Sequence, residues 1–226
     1  MLRLDKYLAN LWIVSRREMN AFFKNEMILV NGVEAIKPED QVEYGDVITR
    51  AGQDIVVKEF VYILLHKPAG ITSSDVDEAS YQSYRTLLQD CPYVSMLHVA
   101  GRLDQDTEWL IIASNDGQFV HRIKSPKHHR EKEYYVKCKN IVTDPQIKQL
   151  EWGIELDDGY RTLPAKATKI GDKELTLILH EGKFHQVKRM LQALGNDVMY
   201  LRRDRIGDYT LGDLPMGKWQ YFEPKI

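Results

Sequence analysis

The segment from His98 to Glu108 places small, polar and charged residues between two apolar stretches, Met96-Leu97 and Leu110-Ile111-Ile112. A carboxylate on such a loop is anchored at both ends by core and faces solvent between them, which suits a nucleophile or a general base. Asp104, Asp106 and Glu108 lie close enough in sequence to raise the question of a divalent cation. Hard cations need six or more oxygen ligands, and the loop lacks the spacing and turn glycine of a calcium loop, so no metal is expected. The plainer reading is an Asp-rich turn in which Arg102 pairs with a neighbouring acid, and the loop by itself leaves both open.

Two basic tracts follow. Arg122, Lys124, Lys127, Arg130, Lys132, Lys137 and Lys139, with His121, His128 and His129, are opposed by Glu131 and Glu133 and surround Tyr134 and Tyr135. Lys183, Lys188, Arg189, Arg202, Arg203 and Arg205 are opposed by Asp197 and Asp204, with Phe184, His185 and Tyr200 among them. Cations interleaved with aromatic rings suit a surface that neutralises phosphates and stacks unpaired bases. An ordinary solvated face is the alternative. We read His128 and His129 as phosphate or base contacts.

The whole-chain charge argues the other way, since 31 Lys plus Arg against 33 Asp plus Glu give −2, a poor match for a polyanionic partner. The acids, however, gather in the stretches 34–46 and 151–158, so the sum averages opposite faces. Strong charge segregation is expected, with the Gly101–Asp104 loop on the positive side. Cys91 and Cys138 are far apart and form no CxxC, which supports neither a disulfide framework nor a zinc site. No apolar stretch approaches the ~20 residues of a membrane span, and the first twelve residues carry Arg3, Asp5 and Lys6 rather than an apolar signal core. We expect a cytoplasmic protein without a membrane partner.

The elements that must carry these residues fall into two groups. In residues 1–58, Leu2, Leu4, Tyr7, Leu8 and Leu11 recur at helical spacing. Ser15 with Glu18 forms a capping box opening a second helix, whose buried stripe is Met19, Phe22 and Phe23. Met27 to Val33 reads as strand, Asn31-Gly32 turn and strand, and Val42 to Ile48 as another short strand pair. The RLDKYL start, the SRRE helix opening, the LVNG turn and GDVI resemble the S4 RNA-binding module, with an αL-like fold. That resemblance implies that Arg3, Lys6, Arg16, Arg17 and Lys24 grip RNA phosphates. Asn25 stands where relatives often have Gly, as the next best residue for a left-handed position.

From residue 60 to 226 strands alternate with short helices. Phe60 to His66 reads as a buried strand ended by a turn at Lys67-Pro68-Ala69-Gly70, and Leu110 to Ala113 as a second buried strand. Gly117 to Lys124 reads as a helix and Tyr134 to Cys138 as an alternating strand. Thr143-Asp144-Pro145 opens a helix bearing Ile147, Leu150 and Trp152. Residues 165–170 and 174–180 form a hairpin, and a last helix spans about His185 to Leu194 with Gly195 as its stop. Hairpins outnumber any βαβ rhythm, so the fold class is α+β, with a mainly antiparallel mixed sheet and flanking helices.

LHKPAG at 65–70, GRLDQDTEWL at 101–110, EKEYYV at 131–136 and EGKFHQVKRM at 181–190 are, in that order, similar to the motifs of the RNA pseudouridine synthases. They look most like the S4-containing branch that modifies one uridine of small-subunit ribosomal RNA, the segment 116–132 inclining the match that way. The resemblance implies a uridine-to-pseudouridine isomerase of 16S ribosomal RNA or of an assembling small subunit, acting on uridine 516 as a monomer. Asp104 would be the catalytic aspartate, Tyr134 the aromatic that stacks on the uracil, and Lys188 the cation paired with the aspartate. Leu179 would form an apolar wall, Arg102 would fill the gap left by the flipped nucleotide, and Lys67, His185 and Arg189 would bind RNA. No cofactor is implied. A 23S or transfer RNA substrate, or a non-catalytic S4-type assembly factor, are the alternatives. Trp109 departs from the family pattern, which calls for Gly; it either starts the strand and packs outward, or reshapes the cleft wall and stacks on RNA.

Overall fold

The computed structural model describes residues 1–125 and 130–225 and divides into two units, Met1–Val61 with Leu88–Leu97, and Tyr62–Leu87 with the chain from His98 onward. Lys127, His128 and His129 lie outside the described residues.

In the first unit the helix Leu4–Asn10 buries Leu4, Tyr7 and Leu8, as their spacing requires. Leu2 belongs instead to a two-residue strand, Leu2–Arg3, paired with Gln41–Val42. The second helix, Met19–Asn25, starts later than the capping box suggested, because the Ser15 hydroxyl bonds the Glu18 carboxylate at 2.5 Å rather than a backbone N–H. Met19 alone of its apolar residues is fully buried, with Phe22 and Phe23 half-buried. Asn25 ends that helix and is not among the residues with positive φ. Asn31 (φ 51°) and Gly32 (φ 80°) make the tight turn between Ile28–Val30 and Val33–Glu34. Val42 and Ile48 do not form a strand pair: Gln41–Val42 pairs with Leu2–Arg3, and Val47–Arg50 lies between Ile28–Val30 and Gln53–Val56. Distant in sequence from the rest of the unit, Leu88–Leu97 is nevertheless part of it: the Tyr93 hydroxyl donates to the Val56 carbonyl at 2.6 Å, and Leu88, Cys91, Tyr93 and Leu97 are buried.

The second unit is built on a nine-stranded sheet whose main path runs Lys166–Gly171, Glu174–Leu179, Lys132–Cys138, Val198–Ile206, Glu108–Ser114, Tyr62–Lys67, Trp219–Tyr221. Every pairing in it is antiparallel except Glu108–Ser114 with Val198–Ile206, so the sheet is mixed. The apolar runs in Tyr62–Lys67 and Glu108–Ser114 are continuous because these strands are buried on both faces. Lys132–Cys138 alternates, so that Tyr134 and Tyr135 point to opposite sides of the sheet.

The helices cover the sheet. Gly117–Lys124 is capped by Asp116, which accepts from the amides of Gln118 and Phe119, and it buries Phe119, Val120 and Ile123 against Leu110 and Ile112. Asp144–Trp152 carries a Thr143–Gln146 capping box; Leu150 is its buried residue, whereas Trp152 is exposed. Gln186–Ala193 buries Val187, Met190 and Leu191, and Gly195 follows at φ 72°. Val198–Ile206, read in sequence as a basic tract, is a central strand. Its charges disguised it, since Leu201 and Arg203 face inward while Arg202 and Arg205 pair with acids at the other side.

Candidate active site

Asp104 is held by the backbone around it. The Ser73 hydroxyl donates to the Leu103 carbonyl at 2.8 Å and accepts from the Leu103 amide at 3.0 Å, fixing the residue just before the aspartate. The Thr107 amide closes a turn onto the Asp104 carbonyl at 3.1 Å. Gln105 is tethered from the neighbouring turn, its carbonyl accepting from the Gly70 amide at 2.8 Å and from Lys67 Nζ at 3.2 Å. Lys67 is therefore a correction to the sequence reading. It has no exposed surface, burial pushes its pKa down to about 8 despite the nearby acids, and its ammonium is spent on the backbone of the loop and the adjoining turn.

The loop opens on a cavity of about 710 Å³. On its rim Lys188 Nζ lies 2.9 Å from Asp104 Oδ2 and 2.6 Å from Asp106 Oδ1, and His185 Nε2 lies 3.5 Å from Asp104 Oδ1. Burial alone would lower the Lys188 pKa, but hydrogen bonds to Asp106 and Asp104 and their charge outweigh it and raise it, so the ammonium persists. Tyr134 and Leu179, both buried and on adjacent strands, form part of the wall. The structure thus gathers Asp104, Tyr134, Lys188, Leu179, His185 and Arg102 around one cavity.

Two cavity residues were missed as such. Arg203 is 1% exposed, and its guanidinium donates to the carbonyls of Leu110 (2.8 Å), Gly101 (3.0 Å) and Arg102 (3.4 Å), tying the active loop to the central strand. Burial pushes its pKa down, opposed by the Tyr134 hydroxyl and the Asp104 charge. Lys132 is also buried at the cavity, its pKa lowered by burial and by the charge of Arg203. Both sat in tracts that looked like surface. The only available signal was their alternation with apolar neighbours, Leu201 beside Arg203 by two positions and Tyr134 beside Lys132 by two.

Arg102 is exposed and paired at 3.3 Å with Glu78, an acid of another segment rather than one of the loop's own carboxylates. Arg189 is bound to Asp157 (2.6 Å) and Asp158 (2.7 Å), so its charge is committed within the protein. Arg202, Arg205, Lys137 and Lys139 likewise pair with Asp204, with Glu131 and Glu133, with Glu174 and with Asp197. The cavity itself remains rich in cations, with Arg102, Lys124, Lys132, Lys183, Lys188 and Arg203 set against Glu78, Asp104 and Asp106. In the first unit Lys6, Arg16, Arg17 and Lys24 are exposed, whereas Arg3 pairs with Asp5 at 2.7 Å and Glu39 at 3.7 Å.

Trp109 adopts φ 90° as the second residue of its strand. Its ring sits 4.2 Å from the His66 ring and 4.9 Å from the Arg202 guanidinium, packs on the sheet's core, and is not part of the cavity wall. Among the described residues no group of three or more His, Cys, Asp or Glu is arranged to hold a metal. Among the same described residues, no helix is long and apolar enough to cross a membrane.

One carboxylate against an ammonium, an aromatic ring and an apolar wall over a cationic floor can hold a planar heterocycle and work on the carbon beside it. The family model for RNA pseudouridylate synthases matches residues 61–193. A ribosomal small subunit pseudouridine synthase A of Vibrio cholerae is 38% identical over 97% of this chain and 95% of its own length. A ribosomal large subunit pseudouridine synthase B of Bacillus subtilis is 33% identical over 99% of this chain and 93% of its own. A crystal structure of a pseudouridylate synthase superimposes with a TM-score of 0.69 at 34% identity, covering 99% of this chain and 96% of that one.

Proposed function

Because the chain belongs to the RNA pseudouridine synthase family, and is an isomerase on that account, we propose that it converts one uridine of 16S ribosomal RNA, uridine 516, to pseudouridine through Asp104. The observation that carries the reading is the Asp104 carboxylate, 2.9 Å from Lys188 Nζ, at a cavity walled by Tyr134 and Leu179. The N1–C1′ bond breaks, the uracil turns while held, C5 bonds to C1′, and the C5 hydrogen leaves as a proton while N1 gains one. Atoms balance, so no cofactor is called for. Asp104 either attacks C1′ or removes the 2′ proton. Both routes need a uridine extruded from its stack at a cost of about a few kcal/mol, offset by stacking on Tyr134 and by phosphate contacts. Arg102, once released from Glu78, fills the vacated stack.

Residues 1–58 supply address as an S4-type module, with Lys6, Arg16, Arg17 and Lys24 on phosphates and Arg3 joining them if it leaves Asp5, while residues 60–226 supply the chemistry. The substrate is naked 16S RNA or an assembling small subunit. A large-subunit substrate is the second reading, favoured by the relative from Bacillus subtilis. Ribosomal RNA tritiated at uridine C5 releases label with the protein, and Asp104→Asn stops release while RNA remains bound. Release by Asp104→Asn at the normal rate would remove the assignment of the aspartate. Mapping the product by mass spectrometry decides between 16S and 23S RNA.

A further inference from the structure

We propose that Phe184 is a stacking platform for a nucleobase flanking the target uridine, an assignment that rests on the function proposed above. Phe184 is 76% exposed, an unusual position for a phenylalanine on the rim of a polar cavity. Its ring is stacked on the His185 imidazole with centroids 3.8 Å apart and planes within 20°. The imidazole in turn reaches toward Asp104, with Nε2 3.5 Å from Oδ1. The two rings therefore step outward from the reacting carboxylate, and the outer ring offers its far face to solvent.

The turn that carries them is fixed from beneath. Glu181, 3% exposed, accepts from the Tyr160 hydroxyl (2.6 Å), the Leu163 amide (2.9 Å) and the Gln186 side-chain amide (2.8 Å). The Gln186 carbonyl oxygen then takes the Lys183 amide at 2.8 Å. His185 holds a left-handed φ of 48°, a conformation that a non-glycine residue keeps only when its surroundings impose it. A pinned turn that leaves an aromatic face in water is preorganised for a flat partner, since little ordering is left to do on binding. The cations around it favour a nucleotide over an apolar protein segment: Lys183 is exposed beside it, and the exposed Lys124 lines the same cavity. Every base has a π-face, so the contact tolerates sequence and adds affinity without reading identity.

The test uses the full chain with an RNA in which 2-aminopurine replaces, one at a time, the nucleotides on either side of the target uridine. One flanking position is quenched on binding to the wild-type protein, the quenching is lost in Phe184→Leu, and it returns in Phe184→Trp. Phe184→Leu raises KM roughly tenfold and lowers kcat far less, whereas Phe184→Trp restores KM. Wild-type KM and quenching in Phe184→Leu overturn this inference alone. A wild-type protein that releases no tritium from any ribosomal RNA overturns the underlying reading and this inference with it.

Discussion

Trp109 holds a φ of 90° that only glycine adopts without strain, and it keeps it because its ring is clasped between His66 and Arg202. Replacing it separates the two effects. Trp109→Gly and Trp109→Ala both lose the ring contacts, but only the glycine variant is free of strain, so we expect it to be the more stable of the two by about 1 kcal/mol. Urea titration of both proteins measures the difference, and an alanine variant at least as stable as the glycine one would show that the backbone there relaxes. The motif made this residue conspicuous in sequence, but not the side to which the ring turns, because that depends on which neighbouring strand supplies the opposing cation. Lys67 was legible as a position and misread as a role. Its folded-state pKa of about 8 lies below the ordinary 10.5, so between those pH values the unfolded chain binds more protons than the folded one. The stability of the wild type relative to Lys67→Met therefore rises with pH across that window and is flat below it. Measuring the difference between the two proteins cancels the tyrosines that titrate at higher pH; a constant difference from pH 8 to 10.5 would refute the assignment.

At the level of elements, the hairpin and the helices over 117–124 and 186–193 could be read from periodicity, since each buries one regular stripe, and the two buried strands from their unbroken apolar runs. The Val198–Ile206 strand could not. Its run of arginines looks like surface because cations are seldom buried without partners, and the partners here are backbone carbonyls of a loop and a neighbouring strand far away in sequence, on which sequence patterning is silent. Asp104 was legible for the opposite reason: its loop is short, polar and flanked by core on both sides. The arginine makes the strand and the loop a single unit, with consequences for stability. Arg203→Met leaves the Gly101 and Leu110 carbonyls without their donors while removing a buried charge; the lost hydrogen bonds dominate, and the cost is about 2–4 kcal/mol. Because Gly101 and Arg102 lie on the same short loop as the aspartate, with only Leu103 between, kcat falls as well, even at temperatures where the variant is fully folded. A melting curve together with tritium release below the transition checks both, and a variant that loses stability but keeps full kcat would mean that the loop's other contacts, from Ser73, Thr107, Gly70 and Lys67, suffice to position Asp104.

For the whole molecule, the net charge of −2 describes neither of the surfaces that matter. Much of the apparent basic tracts is spent internally, with Arg189, Arg202 and Arg205 paired to acids and Lys132 and Arg203 buried, so fewer cations face solvent than the sequence suggests. Among those that remain are the cations of the Asp104 cavity and, in the first unit, Lys6, Arg16, Arg17 and Lys24. If the first unit grips phosphates as proposed, each contact releases condensed counterions, and affinity falls with salt in proportion to the number of contacts. Charge reversal at Arg16 and Arg17 together, Arg16→Glu with Arg17→Glu, should weaken binding at low salt by about tenfold or more and make the slope of log affinity against log salt shallower by roughly one to two units. The proposed mechanism assigns the chemical step to other residues, so single-turnover rates at saturating RNA should fall much less than affinity does. Filter binding across a salt series, paired with single-turnover tritium release, separates the two quantities. An unaltered salt slope would take the first unit out of phosphate binding and leave RNA affinity to the cationic cavity, whereas a rate that falls as far as affinity would mean that the same cations also help to extrude the uridine.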